Sequence, residues 1–282
     1  MRLLAISDLH LSNTRNREAL EALAPHPDDW LILAGDIAER LAQVRSAFAL
    51  LVTRFSRVIW VPGNHELWTL PDETCGGGEG KYLALISLAR EFGVVTPEDP
   101  YPVWLGPGGP CLITPLFLHY DYSFRPDEVS IEDMIPWAEE QHSVCADELL
   151  LETTPHDTAL ELCAARLAYS EQRLEEAGNE LPKVLINHYP LRRDLVHIPR
   201  IPRFIPWCGT RHTEGWHQRF NVKIAVSGHL HVRRTDWRDG TRFEEVLAIQ
   251  DNGIPQEVLK AIYVKFYLDH LIHSEIPKQA RS

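Results

Sequence analysis

Five short stretches dominated by apolar residues are spread along the chain, and a small polar cluster follows each of them. The stretches cover residues 3–6, 31–34, 58–61, 183–186 and 223–227. Near-continuous apolar runs of this length are typical of β-strands that are covered on both faces. We therefore predict five buried strands whose C-terminal ends carry polar side chains.

Helical patterns separate the first three predicted strands. Residues 16–23 predict a short helix that a proline-rich segment ends, and residues 38–55 place apolar side chains at helical spacing on one face. That face consists of Leu41, Val44, Phe48, Leu51 and Val52. Strands that alternate with helices predict a largely parallel sheet with helices packed on its faces.

Further elements are predicted between and after these strands. A helix is predicted at residues 82–92, where Gly93 follows the last apolar position. Short apolar runs predict strands at residues 94–95, 103–104, 111–114 and 243–249. Turn residues predict a hairpin turn at residues 235–241.

Charge is unevenly distributed along the second half of the chain. Acidic residues outnumber basic ones between about 121 and 180, and residues 130–177 predict two or three amphipathic helices. We interpret residues 121–180 as an acidic helical insertion over one side of the core. The balance reverses in the proline-rich segment 191–220, which carries six arginines. We find no internal repeat or linker and predict one domain, 1–282, with a polar C-terminal tail at about 270–282.

Composition limits the class of protein. A chain of 282 residues with a formal net charge of −12 disfavours binding of long nucleic acid, although bound metal ions can still attract an anionic substrate. No stretch reaches the roughly 18 apolar residues of a membrane span. A predicted strand begins directly after Met1, so we expect no signal peptide and a cytoplasmic protein. The sequence indicates no obligate protein partner.

The polar clusters supply seven oxygen or nitrogen donors: Asp8, His10, Asp36, Asn64, His188, His229 and His231. Because ligand sites form at the carboxyl ends of strands in α/β sheets, we expect these side chains to converge. On an extended backbone the side chains of Asp8 and His10 would share one face, and so would those of His229 and His231. Two metal ions need about seven or eight ligand positions when a shared carboxylate and solvent are counted. We predict a pair of Mn, Fe, Zn, Ni or Co ions, with Mn and Fe favoured.

The order of the motifs resembles the calcineurin-like metallophosphoesterase superfamily. These motifs are Asp8-x-His10, Gly35-Asp36, Gly63-Asn64-His65-Glu66, Asn187-His188 and Gly228-His229-x-His231. The resemblance implies a four-layer α/β/β/α sandwich with two central mixed sheets and a dinuclear metal centre at the strand ends. It further implies one metal ion on Asp8, His10, Asp36 and His231, and a second on Asp36, Asn64, His188 and His229.

A mechanism follows from this metal centre. Two cations about 3.5–4 Å apart, bridged by Asp36, would bind the phosphoryl oxygens and lower the pKa of a bridging water, so that a hydroxide attacks phosphorus. His65 is not needed as a ligand, and we assign it to contact the phosphate and protonate the leaving alkoxide. A structural histidine bonded to the backbone is the alternative. Glu39 and Glu66 are both candidates for orienting His65.

The substrate is less well defined by the sequence. Arg192, Arg193 and Arg211 are candidates for binding a second anionic group, because guanidinium forks suit phosphate. For each, a surface ion pair is the alternative. We expect a phosphomonoesterase that acts on a small phosphorylated compound. The alternatives are a phosphodiesterase that acts on nucleotides or cyclic nucleotides, and a non-catalytic scaffold on the same fold.

Overall fold

The computed structural model describes residues 1–71, 75–143 and 145–247. The strands are β1 (Leu3–Ile6), β2 (His26–Leu33), β3 (Phe55–Trp60), β4 (Val103–Trp104), β5 (Cys111–Pro115), β6 (Lys183–Ile186), β7 (Val222–Ser227), β8 (Arg234–Arg238) and β9 (Thr241–Glu245). The helices are α1 (Thr14–Glu21), α2 (Leu41–Leu51), α3 (Asn64–Leu67), α4 (Gly78–Glu91), α5 (Ile131–Glu139), α6 (Asp147–Leu150), α7 (Ala159–Glu176) and α8 (Trp216–Arg219). The five apolar stretches correspond to β1, β2, β3, β6 and β7.

The strands form two sheets. The first has the order β1-β2-β3, and the pairings between its described strands are parallel. The second has the order β4-β5-β6-β7-β9-β8. In it β5, β6, β7 and β9 run parallel, while β4 and β8 pair antiparallel at the two edges. The second sheet is therefore mixed, as expected.

The two sheets pack face to face. Ala5 and Ile59 of the first sheet share one buried cluster with Val184 and Ile224 of the second. The opposite face of the first sheet packs against α2 and α4, and that of the second sheet packs against α7 and α8. This is the predicted four-layer α/β/β/α sandwich. Among the described residues, helices cover one face of each sheet and the other sheet covers the second face. This corrects the expectation, drawn from strand–helix alternation, of one sheet with helices on its faces.

Two predicted boundaries move for physical reasons. β2 begins at His26, five residues earlier than expected, although Pro27 follows. The register between β2 and β3 is irregular between His26 and Trp30, so Pro27 lies where no regular ladder hydrogen bond is needed. The helix expected over 38–55 is limited to α2, because Phe55 is buried and begins β3 by pairing with His26.

The acidic region 121–180 contains α5, α6 and α7, which fall in different places. Leu174 of α7 is buried on the second sheet, so α7 belongs to the outer helical layer. Met134 of α5 packs with Tyr120 and Trp207 in a separate cluster beside the core. The predicted tail at 270–282 and the end of the strand predicted at 243–249 lie outside the described residues. No helix within the described ranges has the length and apolar character needed to cross a membrane.

Candidate metal centre

The polar clusters meet where strands of both sheets end. Asp8 follows β1, Asp36 follows β2, and Asn64 follows β3, while His188 and His229 follow β6 and β7. Hydrogen bonds between the connecting backbones fix this convergence. The N–H of Asp8 donates to the carbonyl of Gly35 at 3.0 Å, and that of Gly228 donates to the carbonyl of His188 at 2.9 Å.

Four side chains form a first group of donors. One ligand atom from each of Asp8, His10, Asp36 and His231 lies within 4.8 Å of the others. The Nε2 atoms of His10 and His231 are 3.1 Å apart, and His231 Nε2 lies 3.3 Å from Asp8 Oδ1. The buried carboxylate of Asp8 also accepts hydrogen bonds from the Ser7 hydroxyl and the His229 N–H. Two carboxylates and two imidazoles in this arrangement suit a divalent metal ion.

A second group shares Asp36 with the first. Donor atoms of Asp36, His188 and His229 lie within 4.8 Å of one another, with His188 Nε2 3.3 Å from Asp36 Oδ2. His188 Nδ1 donates to the Ala34 carbonyl at 2.8 Å, which leaves Nε2 as the inward-facing nitrogen. Asn64 Oδ1, His188 Nε2 and His229 Nε2 are buried without a hydrogen-bond partner among the described residues. Since buried polar atoms are almost always satisfied, three such atoms at one place fit a metal ion.

The backbone at these positions differs from the expectation. Asp8, His10, Asp36, His229 and His231 have φ between 42° and 75°, in the left-handed region. The members of each pair meet because the chain turns sharply past the strand end, so the extended-backbone argument was wrong even though the side chains do come together. Non-glycine residues in this region cost about 1–3 kcal/mol each, and they concentrate at functional sites.

Two glycines allow the loops to approach closely. A Cβ on Gly63 would lie 2.1 Å from Asp36 Oδ1, and a Cβ on Gly35 would lie 2.5 Å from His188 Nδ1. Gly35 also has φ of 90°. Both positions therefore require glycine if Asp36 is to reach His188.

Asp36 dominates the electrostatics of the site. Burial raises the pKa of this carboxyl, but His188 and His65 outweigh burial and hold the pKa well below its usual range. Burial lowers the pKa of His188, and the Asp36 carboxylate overcomes this effect and raises it to about 10. Burial and the neighbouring His188 lower the pKa of His229 to about 3. The metal-free site thus holds buried anionic carboxylates beside a protonated His188 and a neutral His229, and a metal ion bound at His188 Nε2 would displace that proton.

His65 lies at the edge of both groups. Its Nε2 is 3.9 Å from Asp36 Oδ2, and its Nδ1 is 3.1 Å from Glu39 Oε1. Burial lowers the pKa of His65, but Asp36 and Glu39 raise it to about 8. The indole ring of Trp68 lies against the imidazole at a tilt of 33°, with ring centroids 3.7 Å apart. Of the two acids considered for orienting His65, Glu39 makes the contact.

Glu66 does not orient His65, the role for which it was a candidate. Its fully buried carboxylate accepts the backbone N–H groups of Asp36, Ile37 and Gly63 at 2.7–2.9 Å. Glu245 acts similarly on the last loop, where it accepts the Leu230 N–H at 2.9 Å. Glu245 is not among the residues predicted for the site, because nothing in the sequence of strand β9 marks one glutamate as a loop anchor.

Asp147 of α6 was also missed. Its carboxylate contacts Asn64 and Trp68, although 83 residues separate it from Asn64 along the chain. Acidic residues are abundant in this region, so no spacing or motif distinguishes Asp147 from its neighbours.

The three candidate arginines are engaged elsewhere. Arg192 pairs with Asp194 at 2.8 Å, and Arg211 pairs with Asp127 at 2.6 Å. Arg193 donates from Nε to the Phe124 carbonyl at 2.7 Å. These polar contacts do not bring the arginines to the seven candidate ligands.

Comparisons with known proteins show the family of this chain. The model of the calcineurin-like phosphoesterase family matches residues 1–233. The curated "[Acyl-carrier-protein] phosphodiesterase PptH" of Mycobacterium tuberculosis is 46% identical over 256 residues, which cover 90% of this chain and 78% of that protein. The crystal structure of phosphopantetheinyl hydrolase (PptH) from the same organism has a TM-score of 0.88 and 43% identity, and the match covers 97% of this chain and 98% of that one. The chain therefore belongs to the calcineurin-like phosphoesterases and is a metal-dependent hydrolase of phosphate esters.

Proposed function

We propose that this chain is a dinuclear metal-dependent phosphodiesterase that removes a phosphopantetheinyl group from an acyl carrier protein. The observation that carries the reaction class is the sharing of Asp36 by two groups of convergent donors. The substrate is inferred from the 46% identical relative, whose name specifies an acyl-carrier-protein phosphodiesterase. This proposal replaces the small phosphomonoester expected from the sequence by a diester linked to a protein.

The proposed ligands are divided between two ions. Asp8, His10, Asp36 and His231 would hold one ion. Asp36, Asn64, His188 and His229 would hold the other, and Mn and Fe suit these oxygen and imidazole donors. When bound, the ions would polarise the phosphoryl oxygens and lower the pKa of the attacking water.

His65 is proposed as the general acid. Glu39 accepts from Nδ1, so the proton on Nε2 faces the side of Asp36 on which the substrate would lie. The carboxylates of Asp36 and Glu39 raise the pKa of His65 and so favour its protonated form. The attacking water would lose one proton to solvent as its oxygen bonds to phosphorus. As the bond to the leaving oxygen breaks, His65 would give its Nε2 proton to that oxygen. Proton donation of this kind contributes about 10²–10⁴-fold to a rate.

The candidate arginines are proposed to act outside the metal centre. The ion pair of Arg211 is with Asp127, whose side chain is 81% exposed, so the pair is of the surface type. Such pairs contribute at most about 1 kcal/mol, and the guanidinium of Arg211 can exchange Asp127 for an anionic group of the substrate. Arg192 and Arg193 have less exposed contacts and are weaker candidates for this exchange.

The substrate is tested with a carrier protein that bears phosphopantetheine. Protein loaded with Mn²⁺ is incubated with the modified carrier, and the intact mass of the carrier is measured over time, with p-nitrophenyl phosphate as a parallel substrate. We expect the carrier to lose the phosphopantetheinyl mass. An unchanged carrier together with rapid hydrolysis of p-nitrophenyl phosphate would instead identify a phosphomonoesterase that acts on small compounds.

A further inference from the structure

Helix α6 of the acidic region places one buried carboxylate against the candidate metal centre. Asp147, at the start of α6, is only 2% exposed. Its Oδ1 accepts two hydrogen bonds, one from Asn64 Nδ2 at 2.9 Å and one from the indole Nε1 of Trp68 at 2.7 Å. A single oxygen atom therefore joins a proposed metal ligand to an aromatic residue of the site.

The bond to Asn64 determines which way its amide faces. An asparagine side chain has one acceptor oxygen and one donor NH₂ group, and a metal ion requires the oxygen. Because Asp147 accepts only from the NH₂ group, the oxygen is directed away from Asp147. That Oδ1 atom is buried and has no hydrogen-bond partner in the described part of the chain. The reversed amide would direct its NH₂ group at the cation and its oxygen at the Asp147 carboxylate. Both contacts are electrostatically unfavourable.

The hydrogen bond between Asp147 and Trp68 affects the position of His65, the proposed general acid. Trp68 lies against His65 with ring centroids 3.7 Å apart and an angle of 33° between the rings. Glu39 holds Nδ1 of the same imidazole. His65 is therefore fixed in its plane by Glu39 and from one face by Trp68, and Asp147 holds the indole in place.

We propose that Asp147 is a positioning residue that orients Asn64 toward the metal ion and keeps the indole of Trp68 against His65. The inference rests on the proposed dinuclear site but not on the identity of the ester that is hydrolysed. It also gives the acidic region a role, since α6 supplies a contact to the site that the five strand-end motifs lack.

The test measures Mn²⁺ binding to metal-free protein by calorimetric titration. In Asp147→Ala the amide of Asn64 loses its anchor, and we expect one of the two Mn²⁺ ions to bind about 10- to 100-fold more weakly, as for other residues that hold metal ligands. Asp147→Asn keeps an acceptor oxygen at the same place and should restore most of the affinity. The second readout is turnover of bis-p-nitrophenyl phosphate, in which kcat should fall more than KM changes.

Glu148 provides a matched control on the same short helix. Its Oε1 accepts from Trp207 Nε1 at 2.6 Å and from the Tyr122 hydroxyl at 3.0 Å, so it also anchors α6 through an indole. Glu148→Ala should lower the melting temperature as Asp147→Ala does, yet leave both Mn²⁺ affinities unchanged. Equal losses of Mn²⁺ affinity in the two variants would show that Asp147 only stabilises the helix, and would overturn the proposal.

A further variant separates the two bonds of Asp147. Trp68→Phe removes the indole donor and keeps an aromatic ring beside His65, so Mn²⁺ affinity should stay close to that of the wild type.

Wild-type affinity for both ions in Asp147→Ala would contradict the proposal, as would a wild-type protein that binds no Mn²⁺. Wild-type protein that binds two Mn²⁺ ions without acting on a carrier protein would refute only the proposed substrate.

Discussion

The side chain of Glu66 is hydrogen-bonded to the backbone of Asp36, and the side chain of Asp36 is hydrogen-bonded to the backbone of His65, the residue before Glu66. Glu66 Oε2 accepts the N–H of Asp36 at 2.9 Å, and Asp36 Oδ1 accepts the N–H of His65 at 3.0 Å. The loop after β2 and the turn after β3 are therefore hydrogen-bonded in both directions. These bonds hold the loop that carries Asp36 against the turn that carries Asn64 and His65.

Replacing Glu66 tests this contact. In Glu66→Gln an NH₂ group faces backbone N–H groups, so at least one buried donor loses its acceptor. We expect the free energy of unfolding of the metal-free protein to fall by about 1–3 kcal/mol, measured by urea denaturation. Glu91→Gln is the control, since it removes one partner of an exposed ion pair with Arg45 and should change stability far less than Glu66→Gln does. Equal stabilities of the two variants would contradict the structural role of Glu66.

Asp36→Asn should affect both metal ions. The substitution keeps the shape of the side chain and removes the charge that raises the pKa of His188 to about 10. We expect elemental analysis to show loss of metal and the turnover of phosphate esters to fall with it. Two retained metal ions per chain with normal turnover would show that Asp36 is not the shared ligand.

His65→Ala should separate metal binding from proton transfer. His65 is outside the proposed ligand set, so metal content should match that of the wild type, while kcat should fall by about 10²–10⁴-fold. Glu39→Gln should give a smaller loss, because it weakens the hydrogen bond to Nδ1 but leaves the imidazole in place. If His65→Ala turns over substrate as fast as the wild type, His65 is not the general acid.

Arg211→Ala tests substrate binding away from the metal ions. If Arg211 binds an anionic group of the carrier-linked substrate, KM should rise several-fold while kcat and metal content stay constant. Asp127→Ala, which frees the same guanidinium, should lower KM or leave it unchanged. An unaltered KM in both variants would indicate that the pair is only a surface ion pair.

Asp29 gives a prediction for the dependence of stability on pH. Burial raises the pKa of this carboxyl, but hydrogen bonds from the side chain and N–H of Arg2 outweigh burial and lower it. A pKa that is lower in the folded than in the unfolded state stabilises the fold above the unfolded value of about 3.9, and this stabilisation is lost as pH falls through the folded value. Asp29→Asn should therefore be less stable than the wild type at pH 7, with a difference that shrinks below about pH 4. A difference that is constant from pH 7 to pH 3 would contradict this.

The strand-end motifs were the part of the site that the sequence could predict. A buried strand followed at once by Asp, Asn or His leaves a local signal, and β1, β2, β3, β6 and β7 all carry one. This signal does not show which strands belong to the same sheet. Continuous apolar runs are expected whether helices or a second sheet cover a face, so the division into two sheets could be inferred only from the family resemblance.

The supporting residues left no local signal. Asp147 reaches Asn64 from 83 residues away, and its contact depends on where α6 packs. Glu66 and Glu39 were both plausible partners of His65, because spacing alone does not show that the Glu66 side chain turns back onto its own helix start. The left-handed backbone at Asp8 and His10 was missed for a related reason, since it is imposed by hydrogen bonds between neighbouring loops.

The most direct measurement combines metal analysis with a pair of chromogenic esters. Purified protein is analysed for metal content and then assayed with added Mn²⁺ on p-nitrophenyl phosphate and on bis-p-nitrophenyl phosphate. We predict two metal ions per chain and faster turnover of the diester. Faster turnover of the monoester would contradict the proposed phosphodiesterase, and protein that binds no metal and hydrolyses neither ester would contradict the metal centre itself.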